Sequence, residues 1–103
     1  MEVLSVRVPK EVRKGIEELA RLEGKDKAEI AREVLLEGLR ERRIKIAISL
    51  YKEGKISLWK ASRHAGLSLW EFLEELEKRG IELQYGKKEL EEDLKAALSE
   101  GSS

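Results

Sequence analysis

With 103 residues the chain has room for one domain or two very small ones. Hydrophobic residues at 41% suffice for a core, charged residues also reach 41%, and the absence of cysteine excludes a disulfide framework and thiolate chemistry. Net charge is zero, yet residues 1–68 carry 16 basic and 11 acidic side chains, while residues 69–103 carry 5 and 10. A basic front and an acidic tail suggest two surfaces with different partners.

Residues 3–8 alternate in the manner of a half-buried β-strand: Leu4, Val6 and Val8 share one face, Val3, Ser5 and Arg7 the other. Pro9 stops that pattern and pre-sets φ for a helix to about Leu22, whose apolar stripe is Val12, Ile16, Leu19 and Ala20. Gly24 ends it, and Asp26 with Glu29 three residues later has capping-box spacing. Ile30, Ala31, Val34, Leu35 and Leu39 form the next stripe, which resumes at Ile44, Ala47, Ile48 and Tyr51 after a polar break at residues 40–43. Residues 27–53 therefore read either as one helix or as two meeting near Gly38 or Arg42.

Ser57 caps a short helix to Ala65, Gly66 turns the chain, Ser68 caps a helix to Arg79, and Gly80 closes it. Residues 81–85 are extended, with a short strand as one option. Residues 88–98 read as an acidic amphipathic helix. The expected organisation is a module at 1–42, a helical unit at 43–80 and an acidic tail at 81–103.

A lone six-residue strand cannot satisfy its own backbone N–H and C=O groups. Pairing with the same strand of a second copy solves this, as a two-stranded antiparallel ribbon on a two-fold axis. Leu4, Val6 and Val8 of both copies would then cover the helices. Strand, proline, helix, glycine turn and capped helix over residues 3–40 resemble the ribbon-helix-helix DNA-binding proteins. That resemblance implies a homodimer with its ribbon in the major groove of duplex operator DNA. By position, Val3, Ser5 and Arg7 would read bases: Arg7 a guanine edge, Ser5 as donor or acceptor, Val3 a thymine methyl. The resemblance also implies a phosphate grip at the start of the second helix, around Lys25, Asp26 and Lys27.

Residues 57–80 have a helix-turn-helix outline. Glu71, Glu74, Glu75 and Glu77 in its second helix would repel phosphate, which argues against groove reading by that helix. Trp59, Trp70 and Phe72 suit either a small core or a protein-binding face. Residues 44–95 are similar to a family of small archaeal and bacterial proteins thought to be antitoxins encoded beside PIN-domain-like ribonuclease toxins. The resemblance rests on the stretches Leu50–Ser62, Ala65–Leu73, Arg79–Ile81 and Tyr85–Leu94. It implies a toxin-binding end, and Tyr85, Leu90, Leu94 and Leu98 of the acidic tail are the candidate contacts.

Catalysis finds little foothold. His64 is the one histidine, with no metal-ligand spacing, phosphate loop or nucleophile elbow beside it. No enzyme activity, metal or cofactor is expected. No apolar run approaches membrane-spanning length and no signal-peptide pattern follows Met1, so no membrane association is expected and the protein is read as cytoplasmic. Dense Lys, Arg and Glu suits a thermophile, where surface ion-pair networks help most. The sequence-level expectation is a mainly α protein: ribbon-helix-helix, helix-turn-helix-like unit, C-terminal amphipathic helix. Its expected function is that of a dimeric autorepressing antitoxin; the alternative is a protein-interaction module that is dimerised by its ribbon and does not bind DNA.

Overall fold

A computed structural model describes residues 1–83 together with Lys95, Leu98 and Ser99. Its order is α1 (Lys10–Glu23), α2 (Lys27–Lys52), α3 (Leu58–Ala65) and α4 (Leu69–Lys78). The chain divides into two compact units, Met1–Gly38 and a second that begins at Leu39.

Local chemistry sets each helix end. The Pro9 carbonyl accepts from the Val12 N–H at 3.0 Å, opening α1. Gly24 closes it at φ 66°, a left-handed conformation that costs glycine nothing. Asp26 Oδ1 accepts from the Glu29 N–H at 2.9 Å, satisfying a free donor at the start of α2. α2 then runs unbroken for 26 residues, so the 27–53 stretch is one helix. Gly38 has open space around it, and the cost of one helical glycine, about 1 kcal/mol, does not end the helix. Ser57 Oγ accepts from the Lys60 N–H at 3.2 Å to cap α3. Ser68 and Glu71 exchange side-chain and backbone bonds in a full capping box at α4.

The expected N-terminal strand is a correction. Residues 1–9 have no regular secondary structure, and the described residues contain helices but no strand or sheet. The alternating pattern is real, but a strand exists only with a ladder partner, and none of the described residues supplies one. Leu4, Val6 and Val8 accordingly do not cover the helices; even Val8, the least exposed of them, is 47% exposed. Of the other extended segment, residues 81–85, the three described residues 81–83 also lack regular secondary structure, and residues 84 and 85 lie outside the described residues.

The two units differ in burial. In Met1–Gly38 the buried apolar side chains are Ala20 and Ile30 alone. The second unit has a continuous core: Ile44, Ala47, Ile48 and Tyr51 from α2, Leu58, Ala61 and Ala65 from α3, and Leu69, Phe72 and Leu76 from α4. Ile56, Leu67, Leu73 and Ile81 pack around it. Buried Ser62 donates to the Trp59 carbonyl at 2.6 Å, which removes the cost of an unmet hydroxyl.

Candidate nucleic-acid interface

The sequence-derived contact residues fall in separate places. Val3, Ser5 and Arg7 lie on the exposed segment ahead of α1, without the ribbon that would align them as a reading face. Lys25, Asp26 and Lys27 do converge, at the turn into α2. Asp26 already accepts one of the helix's free N–H groups. Lys25 Nζ lies 2.7 Å from Glu33 and 3.8 Å from Glu23, and Lys27 Nζ lies 3.8 Å from Glu17. The hydrogen bond to Glu33 raises the Lys25 pKa, keeping the ammonium charged but engaged. An incoming phosphate would have to compete with these carboxylates.

Of the tail contacts, Tyr85, Leu90 and Leu94 lie outside the described residues. Leu98 is helical and 65% exposed.

In the second unit, the aromatic residues separate by role. Phe72 is fully buried in the core. Trp59 is half-buried, with the Arg63 guanidinium carbon 5.6 Å from its ring centroid, within cation–π range. Trp70 is 56% exposed on α4.

The carboxylates of α4 also separate. Glu71 closes the capping box, and the Ser68 backbone bond holds its carboxyl below the ordinary range. Glu75 turns inward: its side chain lies 3.3 Å from Arg79 and 3.8 Å from Arg40. Arg79 in turn donates two bonds to Glu41, at 2.9 and 2.8 Å. That fork depresses the Glu41 pKa and ties the end of α4 to α2. Sequence reading missed this network because its partners lie 38 residues apart. It also passed over the outward face of α3, whose helical spacing was open to inspection.

Among the described residues, no group of three or more His, Asp and Glu could hold a metal ion. No helix of these residues is long and apolar enough to cross a membrane.

The chain is similar to a UPF0175 protein of Aeropyrum pernix, 51% identical over 55 residues, which cover 53% of this chain and 62% of that protein. It is similar to a UPF0175 protein of Archaeoglobus fulgidus, 46% identical over 54 residues, covering 52% of this chain and 62% of that one. The matches thus span less than two thirds of these relatives' own length. No solved structure matches. The model of the uncharacterised protein family UPF0175 matches residues 2–99, nearly the whole sequence. The chain belongs to the UPF0175 family.

Proposed function

We propose that this chain is the DNA-binding antitoxin of a toxin–antitoxin pair: a homodimer that binds duplex operator DNA, represses its own transcription and neutralises a PIN-like ribonuclease. The observation that carries the reading is the uncovered apolar surface of the first unit. Val12, Leu19, Leu22, Val34, Leu35 and Leu36 are all at least 40% exposed, while only Ala20 and Ile30 are buried. So much apolar surface on so small a unit calls for a partner, and a second copy supplies a matching face by symmetry.

DNA binding is supported by the basic balance of residues 1–68 and by Arg7 on the exposed N-terminal segment. Toxin binding is assigned to residues 81–103, where acidic charge suits a basic nuclease surface.

Three measurements test the reading. Solution mass should be that of a dimer. Affinity for duplex DNA from the chain's own upstream region should fall steeply with salt, as counterion release requires. Arg7→Ala should weaken binding to all duplex sequences about equally and flatten the salt slope. Absence of any duplex binding at low salt would leave a protein-interaction module instead. Toxin binding that survives deletion of residues 81–103 would remove the role given to the tail.

A further inference from the structure

We infer that the second unit makes its own contact with duplex DNA, through the outward face of α3 against the phosphate backbone. The inference rests on the reading that the chain binds duplex DNA, and it locates a contact which that reading leaves open.

On α3, Leu58, Ala61, Ser62 and Ala65 are buried, which leaves Trp59, Lys60, Arg63 and His64 on the other side. The helix contains no carboxylate. Arg43 reaches the same end: its Nη1 lies 4.0 Å from where a Cβ on Gly66 would sit, just past the last turn of α3. Across residues 42–66 there are seven Lys and Arg side chains and one acidic residue, Glu53. Glu53 lies 3.0 Å from Lys55 within the same stretch.

α4 has the opposite character. Glu71, Glu74 and Glu77 are exposed, with Glu75 already held by Arg79. In a helix-turn-helix the first helix crosses the backbone and the second enters the groove. Here the first helix carries the charge that phosphate attracts, and the second carries the charge that phosphate repels. Backbone contact by α3 without base reading by α4 follows from that division. Such a contact adds affinity and fixes orientation while carrying no direct sequence information.

The test uses the full chain and a short fluorescent duplex, titrated by anisotropy over a series of potassium chloride concentrations. Lys60→Gln/Arg63→Gln should weaken binding and reduce the slope of log K against log salt by about 0.9 per lost phosphate contact. Lys78→Gln, at an exposed lysine on α4, should leave the slope unchanged. In a Trp70→Phe background, Trp59 becomes the single tryptophan, and its emission should change on addition of the duplex. This second readout leaves the α3 face unaltered.

If the wild-type chain binds duplex but the α3 variant keeps its slope and Trp59 stays silent, the inference fails and the functional reading stands. If the α3 substitutions instead alter solution mass, the face joins copies of the chain, and the inference fails. If the wild-type chain binds no duplex at low salt, the functional reading itself fails.

Discussion

Arg79 shows how much one side chain decides in so small a unit. Its fork onto Glu41 and its contact with Glu75 join α2 to the end of α4. Because Arg79 depresses the Glu41 pKa, the pair contributes stability above the unfolded carboxyl pKa and loses it as pH falls through the lower folded value. Glu41→Gln should therefore lower Tm at neutral pH by a small amount, since the carboxylate is exposed. The gap from wild type should close on acidification through the carboxylate range. Thermal melts at neutral and acid pH check both statements, and a constant gap would contradict them. Phe72 marks the other extreme: it is fully buried, and Phe72→Ala should cost about 3–5 kcal/mol. Chemical denaturation reads that loss directly.

At the scale of elements, helix boundaries follow from residues within four positions of each end. Ser57, Ser68, Asp26 and Gly24 act where their side chains or φ preferences predict. Ser68→Ala should remove half of the capping box and cost about 1 kcal/mol, seen as a lower urea midpoint with unchanged m. Gly66 sits at φ 73°, so Gly66→Ala should cost about 1–2 kcal/mol although nothing blocks the added methyl closely. The N-terminal segment failed as a strand for the complementary reason. Alternation at residues 3–8 specifies which faces a strand would have, but the ladder that makes it a strand must come from elsewhere in sequence or from another chain. The polar break at residues 40–43 left one helix or two open, and the structure shows one. Arg40 and Glu41 interrupt the apolar stripe because they belong to the ion network, while the backbone of α2 continues beneath them.

For the whole molecule, the contrast between the units governs behaviour. The second unit closes a core from three helices, whereas the first leaves its leucines and valines uncovered. Leu36, at 67% exposure, tests what covers them. Leu36→Glu should shift the solution mass from dimer toward monomer while leaving the core of the second unit intact, measured by light scattering at several concentrations. An unchanged mass would place the dimer contact elsewhere.

The sequence by itself determined where helices start and stop at Pro9, Gly24, Asp26, Ser57, Gly66 and Ser68, because end-capping depends on near neighbours, and it left open whether residues 27–53 hold one helix or two. The buried side of α3 and the basic residues opposite follow a single helical period, a signal that reading the sequence passed over. Only the tertiary structure decided which apolar stripes are covered. It set Phe72 inside and Trp70 outside, paired Arg79 with Glu41, and denied the segment at residues 3–8 a ladder. Each of those depends on what distant parts of the chain bring to a given surface, and burial and pairing at that range are not written in local spacing.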